Sequence, residues 1–121
     1  MENSIQRGEV YFIYLDPAFG REIGGYKTRP VVVVSIDDIH QKTRMVAVVP
    51  RTTSASTHSN VVRVNKGAGN GLQETTFFQC HQIRAVDQGR MTSRPLGRLS
   101  RMDFEEILAG LKRSLGLLDR P

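Results

Sequence analysis

Short apolar runs, separated by glycine, proline and polar clusters, divide the chain into segments of strand length. EVYFIYL, residues 9–15, is aromatic and β-branched and predicts a strand. DPAFGREIGGYKT, residues 16–28, has Asp-Pro, three glycines and no helical period. It predicts a loop longer than most connections in compact domains. RPVVVVSI, residues 29–36, predicts a buried central strand that starts just after Pro30. DDIHQKT, 37–43, reads as a turn with room for one helical turn, and RMVAVVP, 44–50, as a strand that stops at Pro50. RTTSASTHS, 51–59, is a polar loop. NVVRV, 60–64, predicts a strand with Arg63 facing away from Val62 and Val64. NKGAGNG, 65–71, is a glycine-rich turn, TTFFQCH, 75–81, a strand, and QIRAVDQGRM, 82–91, a tight turn with a short strand.

The period changes near the end. Phe104, Ile107, Leu108, Leu111 and Leu115 form one stripe at helical spacing. Ser100 with Asp103 three residues on has the spacing of a capping box, and Gly116 is a natural stop. The expected fold is a β-rich α+β domain over 1–121: a small, strongly curled sheet or barrel with a C-terminal helix laid on one side.

Composition narrows the class. The 121 residues include one cysteine, Cys80, which rules out an internal disulfide and fits a reducing cytosol. No apolar run is long enough to span a membrane. The start, MENSIQRGEV, lacks the pattern of a secretion signal. The net charge is +5, and thirteen of the seventeen cations are arginine, whose planar fork suits phosphate. From Ile39 to Gln73 there is no acidic residue, while Lys42, Arg44, Arg51, Arg63 and Lys66 fall there. On charge alone this is either a footprint for a polyanion or a solvated basic face.

Several motifs fail on inspection. GAGNG, 67–71, is not a dinucleotide fingerprint, because Leu72 stands where the third glycine belongs and no helix follows. His40, His58, His81 and Cys80 show no zinc spacing. Read as neighbours on a strand, Cys80 and His81 diverge, so Cys80 is expected to be a small core residue.

RGEVYFIYLDPAFGREIGGYKTRPVVVVS, residues 7–35, resembles the opening of the MazF/PemK family of toxins from bacterial toxin–antitoxin pairs. It has an Arg-Gly-acidic lead into a hydrophobic strand, then Leu-Asp-Pro and Gly-x-Glu, then Arg-Pro before the valines. The likeness continues in VVPRTTS, 48–54, through Gly71-Leu72 and TTFFQCHQIRAVDQGRM, to 91, and in LGRLSRMDFEEILAGLKRSLGL, 96–117. The resemblance implies a CcdB/PemK-like fold, a small SH3-like curled sheet or barrel with a C-terminal helix, a homodimer, and a cofactor-free, metal-independent cytoplasmic endoribonuclease. It implies cutting of single-stranded RNA at short motifs, with a cognate antitoxin protein occupying the RNA groove and no membrane involved.

The family's active positions fall, by the same resemblance, on Arg29, Thr52 and Glu22. Arg29 would grip the phosphate and offset its developing charge, the Thr52 hydroxyl would donate to a phosphate oxygen, and Glu22 would serve as general base. Thr53 and Ser54 stand as substitutes for Thr52. Lys27, Arg51, Thr53, Gln79 and His81 are expected to contact RNA. Two departures from the family pattern stand out. GGYKT lengthens the stretch between Glu22 and Arg29, and His81 and Gln79 occupy places where relatives often carry aspartate and, in some, arginine. His81 then either replaces the missing carboxylate or contacts a base or the antitoxin. As neighbours at spacing two, Gln79 and His81 would share a strand face. The alternative to an enzyme is a non-catalytic nucleic-acid or partner-binding module of the same fold. A third reading, poisoning of DNA gyrase as in fold relatives, is opposed by the lack of tryptophan and the match to the ribonuclease branch.

Overall fold

The computed structural model of the chain describes residues 4–24, 28–52 and 60–117. Within them lie β1 (Glu9–Ile13), β2 (Arg29–Val33), α1 (Asp37–Thr43), β3 (Met45–Thr52), β4 (Val61–Val64), β5 (Thr76–Gln79), β6 (Arg84–Asp87), β7 (Gly97–Arg98) and α2 (Arg101–Leu115). All pairings are antiparallel, in the order β4-β5-β3-β2-β1-β7, with β6 also on β3.

The four valines form the middle of this sheet and are buried on both faces. Val31 and Val33 pack with Tyr11, Ile13, Leu15, Val46, Val48 and Val86. Val32 and Val34 pack on the other face with Val49, Val62, Val64, Phe78 and Cys80, under Ile107 and Leu111 of α2. A strand covered on both sides has no solvent-facing position, so its sequence is a continuous apolar run rather than an alternation. Helix α2 covers one face, and the other is filled by the second apolar cluster, which leaves the polar margin of that face for a site.

Strand β3 is the branch point. Its Met45–Val48 segment pairs with β6, and Arg51 and Thr52 pair with β5, leaving Val49 and Pro50 between the two partners on that edge. The Arg44 carbonyl accepts from Gln88 N–H, so even positions of β3 turn their backbone groups toward this edge. Pro50, which has no N–H, stands where no partner needs one. Across the strand, the β2–β3 register runs from Val33–Val48 to Val31–Pro50. Val34 N–H donates to the Ala47 carbonyl at 2.9 Å, which turns the even positions of β2, Pro30 included, toward β3. Pro30 thus lies just beyond the last β2–β3 pair while Phe12 pairs with it on the β1 side. For this reason β2 begins at Arg29, one residue before Pro30 rather than after it. Strand β3 likewise runs two residues past Pro50, because β5 takes up Arg51 and Thr52.

Other expectations are corrected. Residues 37–43 form a seven-residue helix with Asp37 and Asp38 in its first turn, a Lys42–Asp38 ion pair at 3.2 Å and Arg44 in the left-handed region (φ 59). Its buried His40 is a packing residue: Nδ1 donates to the Ile5 carbonyl (3.1 Å) and Nε2 meets Ser35 Oγ at 2.5 Å. The strand expected over 75–81 stops at Gln79, and Cys80–Gln82 is a single 3₁₀ turn closed by Ile83 N–H on the Cys80 carbonyl. Gln79 and His81 therefore do not share a strand face. The two-residue β7 escaped prediction because it is too short to show a period. In the glycine-rich turn, buried Asn70 accepts from Gly67 and Leu72 N–H and donates to the Asn65 carbonyl, which accounts for that motif structurally.

The α2 caps are as expected: Ser100 Oγ accepts from Asp103 N–H at 3.1 Å, and Gly116 closes the helix at φ 72. Leu115 is an exception to the stripe and is exposed. At Gly110 the helix lies against the 3₁₀ turn and β4, and a Cβ there would lie 2.6 Å from Cys80 Sγ and 3.2 Å from Val62. Cys80 is buried, and burial pushes its thiol up to about 11, so it is a core residue with no nucleophilic role. Gly110→Ala should lower stability by about 1–2 kcal/mol, overpacking outweighing the gain in helix propensity. Adding Cys80→Ala should recover part of that loss. Thermal or urea unfolding of the single and double variants checks both, and additive losses would refute the contact.

Candidate active site

On the face opposite α2, side chains from β2 and β3 meet a loop. Arg29 has the parity of Val31 and Val33, and Thr52 that of Val46 and Val48, all four valines being in the cluster away from the helix. Two residues beyond the Val31–Pro50 pair, the same register sets Arg29 opposite Thr52. Both line a cavity of about 370 Å³ whose remaining wall is the segment from Asp16 to Gly24, Glu22 included. Arg29 is half-buried, and its Nε donates to the Gly24 carbonyl at 2.7 Å. That bond anchors the guanidinium from behind.

The wall itself is held by side chains of the segment that follows β5. The Arg84 guanidinium donates to the Leu15 carbonyl and, at 3.2 Å, to that of Pro17. Arg90 donates to the carbonyls of Tyr14 (2.9 Å) and Asp16 (2.6 Å). Strand β1 ends at Ile13, so these two arginines take up the carbonyls that leave the ladder. Further along, Gln82 brackets Glu22. Its Nε2 donates to the Arg21 carbonyl (2.9 Å) and its Oε1 accepts from Ile23 N–H (3.0 Å). Glu22 is exposed, and its own Oε1 accepts from Phe19 N–H at 2.7 Å. Gln82, Arg84 and Arg90 were not picked out from the sequence. A guanidinium bound to a distant carbonyl leaves no periodic trace, and only the QIR match to the family drew attention to that segment.

The remaining predicted residues separate. His81 is exposed and lines a second cavity of about 290 Å³, which shares Glu22 and Ile23 with the first. Gln79 is half-buried on the face away from Phe78 and lines neither cavity. Arg51 is a correction: it stands one residue from Thr52 in β3, hence on the opposite face, and its guanidinium is tied to Glu74 at 3.1 Å. Lys27 and Thr53, with Ser54, lie outside the described residues. Among the described residues no cluster of three or more His, Cys, Asp or Glu is placed to hold a metal ion. No helix among them is long and apolar enough to cross a membrane.

The chain is a curled antiparallel sheet covered by one helix, with an arginine–threonine pair on the margin of the face away from that helix. The pattern of the PemK-like, MazF-like toxins of type II toxin–antitoxin systems matches residues 6–115, and the chain belongs to that family. It is similar to endoribonuclease PemK of Escherichia coli, with 29% identity over 94% of this chain and 84% of that one. It is also similar to endoribonuclease MazF9 of Mycobacterium tuberculosis, with 33% identity over 93% of this chain and 98% of that one. Among solved structures, MazF from Deinococcus radiodurans superposes with a TM-score of 0.80 at 20% identity, covering 95% of this chain and 99% of that one. A mycobacterial endoribonuclease in complex with its cognate antitoxin superposes at 0.77 with 23% identity, covering 96% and 99%. These likenesses carry the expected curled sheet with its C-terminal helix.

Gln82→Ala should leave the Ile23 amide without its acceptor. Its hydrogen exchange should then quicken about tenfold, the worth of one hydrogen bond, while Val32 in the sheet stays protected. Equal protection of Ile23 in both proteins would show that Gln82 does not hold the loop.

Proposed function

We propose that this family member is an endoribonuclease toxin that cuts single-stranded RNA at short sequence motifs in the cytoplasm, using protein groups alone. The observation that carries this reading is the placement of Arg29 and Thr52 on one face, lining one cavity with Glu22.

In the proposed step a base takes the proton of the ribose 2′-OH. The 2′-oxygen forms a bond to phosphorus, and the bond from phosphorus to the 5′-oxygen breaks. That oxygen gains a proton, leaving a 2′,3′-cyclic phosphate and a 5′-OH. Negative charge builds on the phosphorane oxygens, and the Arg29 guanidinium, anchored at Gly24, stands ready to meet it with its positive charge. Thr52 supplies a hydroxyl donor to the same oxygens. Glu22, which shares the cavity's wall with a second acidic residue, Asp16, is the candidate base, with its loop fixed by Gln82. His81, across Glu22 in the adjoining cavity, is assigned to RNA contact, and Gln79 is left a contact on the same open face. A cognate antitoxin would block the toxin by filling this open face, and two copies of the chain would place their two sites on one dimer.

Arg29→Ala should cut a mixed single-stranded RNA at least about a hundredfold more slowly, the usual cost of one transition-state donor. Its melting temperature should stay within a few degrees of the parent. Cutting by the parent should persist in EDTA. Wild-type rates from Arg29→Ala would remove this reading, and an RNA band shift with no cuts by the parent would replace it with a binding module. The mass in solution at micromolar concentration should be that of two chains, and a monomer would contradict the dimer.

A further inference from the structure

The strand registers align side chains from four strands in one transverse row. Arg63 of β4 pairs with Phe77 of β5, and Phe77 pairs with Thr52 of β3. The β2–β3 register, continued, adds Arg29. Residues paired across an antiparallel ladder project to the same face. Burial identifies that face. Val62, Val64 and Phe78 lie in the cluster under the helix, so Arg63 and Phe77 project to the open side with the cavity. The row reads Arg63, Phe77, Thr52, Arg29, with neighbouring strands about 5 Å apart, which sets Arg63 about 10 Å from Thr52.

Among the cations of the acid-free stretch, Arg44, Arg63 and Lys66 are exposed and in no ion pair among the described residues, and of these three it is Arg63 that the registers put in the row with Thr52. Arg51, on the opposite face, is held by Glu74, and Lys42 by Asp38. Phe77 is half-buried, a ring set in the sheet with part of its surface open on the side of the site. A cation, an aromatic ring, a hydroxyl and a second cation in line is the chemistry of a groove for single-stranded nucleic acid. The cations track phosphates and the ring stacks a base.

We propose that Arg63 and Phe77 form a flanking nucleotide subsite, next to the Arg29–Thr52 pair and on the β5 side of it. Phe77 stacks the base and Arg63 holds the adjoining phosphate. The proposal rests on the reading of Arg29 and Thr52 as the cleavage pair and adds the direction in which bound RNA leaves it.

The test uses the full chain, uncleavable 2′-O-methyl oligonucleotides for binding, and cleavable RNAs extended by steps at either end of one cut site. Arg63→Ala should reduce the slope of log affinity against log salt by about 0.7, the signature of one phosphate on a single strand. The parent's preference for RNAs extended toward the subsite, read as a ratio of kcat/KM, should fall about tenfold. Phe77→Leu keeps an apolar side chain in the sheet and should weaken binding of the extended oligonucleotide about fivefold or more, with the melting temperature as control. If the parent cuts RNA while Arg63→Ala and Phe77→Leu show its salt slope and length preference, the subsite is refuted and the Arg29–Thr52 reading stands. Equal losses on short and extended RNA would refute it as well. If Arg63→Ala binds RNA normally but loses affinity for a polyglutamate peptide, the row is a protein contact and the proposal falls. If the parent neither binds nor cuts, the cleavage reading falls and takes the subsite with it.

Discussion

The β2–β3 register is the constraint on which the rest of this molecule depends. It holds the two strands together through valines buried on both faces and ends at Pro30, which has no N–H to offer β3. Past that end the strands carry Arg29 and Thr52 rather than further valines. The site is thus the continuation of the stiffest part of the core into its polar margin. A shift by one residue in this pairing would send Thr52 under the helix and bring Arg51 to the cavity.

Much of this was legible in the sequence because it follows from simple periods. The valine run, the Ser100 cap, the Gly116 stop and the apolar stripe of α2 all have local causes. The Arg-Pro junction and the threonine after the second proline could be singled out through family resemblance. Illegible features arose from contacts between distant segments. The bonds from Arg84 and Arg90 to carbonyls after β1 span more than sixty positions, with separations of 67 to 76 residues, and leave no pattern nearby. Nothing in the helical stripe singles out Gly110, whose role is set by Cys80 and Val62, distant in the chain, packing against it.

His81 and Arg51 depart from their expected settings through strand ends placed wrongly. Arg51 reads as the start of a polar loop, whereas β3 continues through Thr52 and alternates as it goes. For His81 the strand was carried too far. The chain coils at Cys80 to bring that thiol under Gly110, and the turn swings His81 out beside Glu22. The helix contact on one face and the second cavity on the other are therefore linked through a single 3₁₀ turn.

The shared valine strand has a consequence for how this protein fails. Val31 and Val33 belong to one apolar cluster and Val32 and Val34 to the other, so neither half can dissolve while the other persists. Heat or a damaging substitution anywhere in the hydrophobic interior acts on the Arg29–Thr52 margin and the helical cover as a single cooperative unit. In this toxin-family chain the margin that carries that pair is then made and lost together with the core.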